Sequence, residues 1–268
     1  MESKHQFISY DGTELEGTLT SCQSARDALV LMVHGITSSR DEFGLFSGLA
    51  DELAKKGVLS FRFDYRCHGI SNIPMEQMTL AGVINDLEAA ADCSMALTKK
   101  TSVFVVGMSF GGGLSAFWAT STSRPVRGII MFAPVIDYEE DILGNDTVTD
   151  GVITKQPYKD ELKANGFIEV EGFHYGRALL NEIPYINGIE GIRRASCDLL
   201  IVHGDSDSVV PFDSSERFAK LNSRCQLVNI AGTDHGFGVA GDENLTWPET
   251  KAKHSEVFQL VTDFIIRR

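Results

Sequence analysis

The chain has 268 residues, of which 43% are hydrophobic and 23% charged, and its formal net charge is −13. This composition is typical of a globular protein with a large core, and the surplus of acidic side chains argues against nucleic acid as a partner, because duplex binding needs clustered Lys and Arg. No apolar run approaches the ~20 residues that span a membrane, and residues 1–6 lack the apolar stretch of a signal peptide, so we expect a cytoplasmic protein.

The cysteines argue against a metal site. They number five, which is odd, and no two of them form a CxxC pair. A disulfide framework or a zinc site is therefore not indicated, and we expect reduced thiols, no metal and no cofactor. The five are Cys22, Cys67, Cys93, Cys197 and Cys225.

Apolar runs and segments of helical spacing alternate along the first half of the chain. A hairpin is predicted where two short apolar runs flank an Asp-Gly turn, and continuous apolar runs predict strands buried on both faces. In chain order the predicted elements are the hairpin 7–10 and 15–20, strand 28–33, helix 43–56, strand 58–63, helix 80–97, strand 103–106, helix 111–120 and strand 126–133.

The alternation stops after this point and resumes later. Residues 135–195 are rich in Gly, Asn, Tyr and acidic side chains and show no clear strand. Strand 199–202, helix 213–221, strand 226–230 and helix 249–266 then follow. Strands alternating with helices predict an α/β fold, with a mostly parallel central sheet and helices on both faces. We expect one domain over residues 1–268, with residues 135–195 inserted as a cap.

A candidate nucleophile lies between a predicted strand and a predicted helix. Residues 107–111, Gly-Met-Ser-Phe-Gly, fit the pattern G-x-S-x-G, and this setting is that of a nucleophile elbow with Ser109 at its tip. Gly107 and Gly111 lack side chains that would keep the strand and the helix apart. The alternative is a tight Gly-rich turn that does no chemistry.

A serine hydroxyl needs a neighbouring base to act as a nucleophile at neutral pH. His235 follows the last predicted strand, and loops at the carboxyl ends of parallel strands meet at one edge of the sheet. We therefore predict His235 as the base. His34 and His203 also follow strands, but we expect them to stabilise turns, and we expect His68 to be structural.

The third member of a triad fixes the tautomer of the histidine. Asp207, in the loop after the strand at 199–202, is the predicted acid. Asp205 in the same loop and Asp137 after an earlier strand are the alternatives. The order Ser109, Asp207, His235 is the order of the α/β-hydrolases.

Two backbone amides should stabilise the oxyanion that forms during acyl transfer. One is predicted to be the amide of Phe110, directly after Ser109. The other is predicted from the loop after the strand at 28–33, where Ile36 is the first candidate and Thr37 the alternative.

Several segments together resemble the α/β-hydrolases of the cinnamoyl (feruloyl) esterase and monoacylglycerol lipase kind. The matching segments are His34-Gly35-Ile36-Thr37, the run from Arg62 to Ser71, the elbow at Ser109, the loop of Asp207 and Asp234-His235. They extend over residues 28–240. Met108 stands where this family often has His, and Cys67 where it usually has Gly.

The motifs predict a serine esterase that cleaves a carboxylic ester through an acyl-enzyme, and the resemblance implies a small aromatic or medium acyl ester. One alternative is a thioesterase or acyltransferase that uses the same triad on an acyl group bound to a carrier protein. The other is a binding protein with a hydrolase fold and no catalysis, which the intact triad argues against.

The aromatic side chains of the cap are candidates for the substrate pocket, because ligand pockets combine apolar walls with a few polar groups. We predict that Tyr138, Phe173, His174 and Tyr175 contribute to it. The alternative is that the aromatics form a small core that holds the cap together. The acidic cluster over residues 137–141 either binds a hydroxylated substrate or is a solvated face.

Overall fold

The computed structural model describes residues 1–144, 148–149, 152–153, 155–170 and 172–268. Its strands are β1 (Glu2–Ile8), β2 (Glu14–Thr20), β3 (Leu29–Val33), β4 (Leu59–Asp64), β5 (Val103–Met108), β6 (Val126–Phe132), β7 (Val148–Thr149), β8 (Val152–Ile153), β9 (Phe167–Val170), β10 (Phe173–Gly176), β11 (Asp198–Gly204) and β12 (Cys225–Ile230). Its helices are α1 (Leu45–Lys55), α2 (Leu80–Thr98), α3 (Phe110–Ser121), α4 (Gln156–Asn165), α5 (Arg177–Glu182), α6 (Gly188–Arg194), α7 (Phe212–Ala219) and α8 (Pro248–Ile266). Short 3-10 turns lie at Glu42–Gly44 and Met75–Gln77, and a π-helical turn at Glu139–Leu143.

Eight strands form the central sheet, in the order β1-β2-β4-β3-β5-β6-β11-β12. The pairs β1/β2 and β2/β4 are antiparallel and all other neighbours are parallel. The predicted α/β fold is therefore confirmed. Val33 pairs with Gly107 and Gly204 with Ile230, so the loops that follow β3, β5, β11 and β12 leave the sheet at the same edge.

The sheet separates two hydrophobic clusters because successive side chains of a strand point to opposite faces. In β3, Leu29, Leu31 and Val33 join the cluster beneath α2, α3 and α6, whereas Val30 and Met32 join the cluster beneath α1 and α8. All five side chains are buried, which explains the uninterrupted apolar run.

The first helix begins later than predicted. Helical spacing placed its start at residue 43, but α1 begins at Leu45, because Glu42 and Phe43 both have left-handed backbones, with φ values of 45° and 51°. Apolar periodicity does not reveal such a turn.

The segment between β6 and β11 contains regular structure that the sequence did not predict. Phe173 pairs with Val170 and Tyr175 with Ile168 in an antiparallel hairpin of β9 and β10, so the expectation of no strand was wrong. The two strands have four residues each, too few for a clear alternation. The assignment of residues 135–195 as a cap stays a prediction, and residues 145–147, 150–151, 154 and 171 of that segment lie outside the described residues.

This segment packs on the body of the protein at two places. A Cβ on Gly191 of α6 would overlap the backbone of Ala116 in α3, and one on Gly176 would overlap the carbonyl of Glu76. Within the described part of the chain, no helix has both the length and the apolar content that a membrane-crossing helix needs.

Candidate active site

Ser109 occupies a strained turn between β5 and α3. Its backbone has φ 51° and ψ −121°, a conformation that costs free energy for a residue with a side chain. Hydrogen bonds hold it there: its amide donates to the carbonyl of Phe132 at 2.9 Å, and its own carbonyl accepts from the amides of Gly112 and Val135 at 2.8 and 3.0 Å. Its side chain is half-buried at the beginning of α3, where a helix favours negative charge.

Both glycines of the G-x-S-x-G pattern are required by close backbone contacts. A Cβ on Gly107 would overlap the carbonyl of Gly111, and a Cβ on Gly111 would overlap the carbonyls of Val33 and His34. The turn at Ser109 therefore packs directly against the end of β3, as the steric argument from the sequence predicts.

Asp207 and His235 are hydrogen-bonded to each other. Nδ1 of His235 lies 2.7 Å from Oδ2 of Asp207, and the side chain of Asp207 is fully buried. A carboxylate oxygen only accepts, so Nδ1 of His235 carries the hydrogen and Nε2 is left as the acceptor. This is the tautomer that a general base acting on a serine hydroxyl requires.

His203 contacts the same carboxylate. Its Nε2 lies 3.0 Å from Oδ2 of Asp207 and 3.1 Å from the carbonyl of Val210, and its Nδ1 lies 2.7 Å from Oγ of Ser215. Because both partners of Nε2 are acceptors, this nitrogen carries a hydrogen and Ser215 donates to Nδ1.

The carboxylate of Asp207 is stabilised in its ionised form. Burial by itself would raise the pKa of Asp207, but hydrogen bonds from His203 and His235 outweigh burial and hold the pKa well below its ordinary value. The other oxygen, Oδ1, accepts the amides of Val209 and Val210 at 2.8 and 2.9 Å. Asp207 is therefore ionised throughout the neutral range.

The two alternative acids have other partners. Asp205 accepts the side-chain amide of Asn229 and the backbone amide of Gly232, and so joins its loop to the loop that follows β12. Asp137 accepts two amides of the turn that follows it. Neither carboxylate is hydrogen-bonded to His235 among the described residues.

Hydrogen bonds fix the 34–37 loop, which follows β3. The carbonyl of Gly35 accepts from the hydroxyl of Tyr65 at 3.1 Å and from Nδ1 of His34 at 2.7 Å. This carbonyl and the amide of Ile36 belong to one planar peptide group and point in opposite directions. Fixing the carbonyl therefore fixes the direction of the Ile36 amide.

The neighbouring amides of this loop already have acceptors. The amide of Gly35 donates to Oε2 of Glu42 at 2.6 Å, and the amide of Thr37 donates to Nε2 of His68 at 3.2 Å. Within the described ranges the amides of Ile36 and Phe110 have no acceptor. These are the two amides predicted from the sequence as oxyanion donors, whereas the alternative, Thr37, is engaged.

Comparison with solved structures identifies the fold. Est1E from Butyrivibrio proteoclasticus with bound ferulic acid is 22% identical, with a TM-score of 0.75 over 96% of this chain and 99% of that chain. A putative hydrolase from Agrobacterium vitis S4 is 19% identical, with a TM-score of 0.76 over 99% of each chain. Alpha/beta hydrolase domain-containing protein 10 from mouse is 16% identical, with a TM-score of 0.73 over 99% of each chain.

The sequence itself matches the family described as serine aminopeptidase, S33, over residues 24–156. The protein has the fold of the α/β-hydrolases. No protein with a curated description matches the sequence of this chain significantly.

The aromatic side chains predicted for the substrate pocket lie partly in the core of the protein. Tyr138 and Phe173 are fully buried, and the hydroxyl of Tyr138 donates to the carbonyl of Phe110 at 2.8 Å. The ring of Tyr175 lies 5.0 Å from that of Phe173. His174 is half-buried and stacks on Phe167 at 4.0 Å. The burial favours the alternative of structural support, and the pocket assignment stays a prediction.

Three residues of this site were not recognised from the sequence. The sequence predicts only a turn-stabilising role for His203 and a structural role for His68, and it predicts no role for Glu42. His203 is the penultimate residue of the buried strand β11 and His68 lies in the loop after β4, which is a weak signal shared with many structural histidines. Nothing near Glu42 in the sequence indicates that its carboxylate is buried.

Proposed function

We propose that this α/β-hydrolase is a serine esterase that cleaves carboxylic esters through an acyl-enzyme on Ser109. The observation that carries the proposal is the 2.7 Å contact between Nδ1 of His235 and Oδ2 of Asp207, which leaves Nε2 of His235 as an acceptor. The strained turn at Ser109 and the two amides without acceptors support the same assignment.

In the first half of the reaction, Oγ of Ser109 attacks the ester carbonyl while Nε2 of His235 takes the hydroxyl proton. The charge that forms on the carbonyl oxygen is stabilised by the amides of Ile36 and Phe110. Asp207 keeps His235 in the productive tautomer and stabilises the imidazolium. The intermediate collapses when His235 gives its proton to the leaving alcohol, so that Ser109 carries the acyl group.

In the second half, His235 takes a proton from water, and the resulting hydroxide attacks the acyl carbonyl. The same two amides stabilise the second oxyanion. Collapse of this intermediate breaks the bond to Oγ, and His235 returns the proton to Ser109. The products are one alcohol and one carboxylic acid, and no cofactor takes part.

The proposed substrates are esters of small aromatic or medium-length acyl groups. The resemblance of the sequence motifs to cinnamoyl esterases supports this class, and Est1E, the fold of which is similar, holds ferulic acid. We further propose that residues 135–195 form a cap over Ser109 that contributes to acyl selection.

A substrate panel tests the proposed function. p-Nitrophenyl esters of increasing acyl length, methyl cinnamate and ferulate, and acyl thioesters are compared with wild type and Ser109→Ala. We expect hydrolysis of the oxygen esters that depends on Ser109. A kcat/KM that is higher for thioesters across the panel would instead favour the thioesterase, and equal rates for both proteins would contradict the proposal.

A further inference from the structure

A buried carboxylate that the proposed reaction does not use lies next to Ser109. Glu42 is only 7% exposed, and its Oε2 accepts the amide of Gly35 at 2.6 Å. A Cβ on Gly35 would lie 3.4 Å from Cβ of Ser109 and 3.6 Å from Oε1 of Glu42. Gly35 therefore lies directly between the two side chains.

The backbone that presents Glu42 is strained. Glu42 and Phe43 are consecutive residues with left-handed φ values of 45° and 51°, a conformation that favours glycine. The side chain of Phe43 is 77% exposed, so burial of this ring does not hold the turn in place. The strained turn places the Glu42 carboxylate within hydrogen-bond distance of the Gly35 amide.

The electrostatic surroundings of Glu42 are unusual for a structural carboxylate. In the described residues it forms no ion pair with Lys or Arg, although a buried charge is costly unless it is paired or hydrogen-bonded. Burial raises the pKa of Glu42, while the hydrogen bond from the Gly35 amide, the Ser38 side chain and the charge of His235 oppose that rise. The carboxylate thus lies close enough to His235 for the two charges to interact.

We propose that Glu42 is a positioning residue for the 34–37 loop, which it holds so that the Ile36 amide can stabilise the oxyanion. This inference rests on the proposed esterase function. Tyr65 and His34 fix the peptide group that contains the Ile36 amide, and Glu42 fixes the preceding peptide group through the Gly35 amide. Both peptide groups that flank the α-carbon of Gly35 are therefore held, although glycine has no side chain to restrict its backbone.

The oxyanion exists only in the intermediates and the transition states that flank them. A displaced Ile36 amide therefore lowers kcat and leaves binding of the neutral ester, and hence KM, nearly unchanged. Loss of a whole oxyanion donor lowers kcat by about 10²–10³. We expect loosening of the 34–37 loop to lower kcat by about 10- to 100-fold.

Glu42→Gln and Glu42→Met form a matched pair for the test, because both are close to glutamate in length and only glutamine keeps an oxygen acceptor for the Gly35 amide. The control is Asp41→Asn, which changes the adjacent carboxylate; Oδ1 of Asp41 contacts Nε of Arg62 at 2.8 Å instead of the 34–37 loop. Steady-state ester hydrolysis and melting temperature are measured for wild type, Ser109→Ala, these three variants and, as a further check on folding, Glu42→Ala.

We expect Glu42→Gln and Asp41→Asn to keep kcat within about threefold of wild type, and Glu42→Met to lose at least tenfold in kcat with KM within threefold. Equal kcat in Glu42→Met and Glu42→Gln would overturn the positioning role. The positioning role would also be overturned if Glu42→Met and Glu42→Ala failed to fold while Glu42→Gln was active. That result would mean that Glu42 has a purely structural role. If wild type shows no Ser109-dependent hydrolysis, it is the proposed function that fails.

Discussion

His203 and His235 contact the same atom, Oδ2 of Asp207, at 3.0 and 2.7 Å. The imidazole of His203 is fully buried, and its Nδ1 is hydrogen-bonded to Ser215. The imidazole of His235 is partly exposed at the sheet edge where Ser109 lies. His203 therefore anchors the carboxylate from inside the protein, and Asp207 in turn orients His235 on the outer side.

Asp207→Asn tests the role of this carboxylate in catalysis. An asparagine can present its amide to Nδ1 of His235 and so favour the wrong tautomer. We expect kcat for ester hydrolysis to fall by about 10⁴. The controls are Asp205→Asn and Asp137→Asn, whose carboxylates have other partners and should each cost less than tenfold. A large loss of kcat in Asp137→Asn with a small loss in Asp207→Asn would mean that the catalytic acid is Asp137, in the loop after β6.

His203→Leu tests the anchoring of Asp207 through the dependence of stability on pH. The hydrogen bond from His203 helps to hold the pKa of Asp207 below its ordinary value of 3.8, so its stabilising effect is present above that value and is lost as pH falls through the lower pKa of the folded state. We expect the variant to lose about 1.5–3 kcal/mol of unfolding free energy at pH 7.

Urea unfolding between pH 3 and pH 7 measures this difference. The deficit of His203→Leu relative to wild type should be constant from pH 7 to about pH 4 and begin to shrink below that, because Asp207 of the folded variant has a pKa closer to its ordinary value and takes up a proton at a higher pH than Asp207 of folded wild type. Ser215→Ala is the matched control, since it removes the contact at the other nitrogen, and its deficit should not vary with pH. A pH-independent deficit in His203→Leu would mean that the bond to Asp207 contributes nothing specific.

Single substitutions of Tyr138, Phe173 and Tyr175 by Ala decide between a pocket and a supporting core. If these side chains shape the acyl site, kcat/KM changes unequally across esters of different acyl length. If they support the fold, all esters lose activity equally and the melting temperature falls. Because all three side chains are buried, we expect a lower melting temperature for each variant, with the smallest fall for Tyr175, which is 4% exposed, and unequal effects on the esters only for Tyr175.

Tyr185→Ala is the control for these aromatic substitutions, because its side chain is 80% exposed in the same segment. It should change neither the melting temperature nor the preference among esters. If Tyr175→Ala lowers kcat/KM equally for all the esters, Tyr175 does not contribute to the proposed pocket.

The sequence contains enough information for the α/β fold because its signals are strong and local. Continuous apolar runs such as that of β3 predict strands buried on both faces, and the G-x-S-x-G pattern between a strand and a helix predicts the turn at Ser109. The hairpin of β9 and β10, by contrast, is too short to give a periodic signal.

The contacts of Glu42 and His203 could not be predicted in the same way. Each depends on where a long-range contact places one polar atom: Oε2 of Glu42 beside the Gly35 amide, and Nε2 of His203 beside Asp207. The left-handed turn extends over Glu42, Phe43 and Gly44, and only its last residue is of a type that favours this conformation, so the sequence does not show that the turn begins at Glu42. Side-chain contacts of this kind become visible only when the strands are assembled into a sheet.

Covalent labelling of Ser109 tests the central claim most directly. A fluorophosphonate reacts with a serine activated by a neighbouring base, and digestion followed by mass spectrometry identifies the modified residue. We expect one label per folded wild-type chain, on Ser109, with the same result for Ser121→Ala at the other end of α3 and no label in Ser109→Ala. Labelling of Ser109→Ala at the wild-type rate, or a wild-type label on any other residue, would contradict the account.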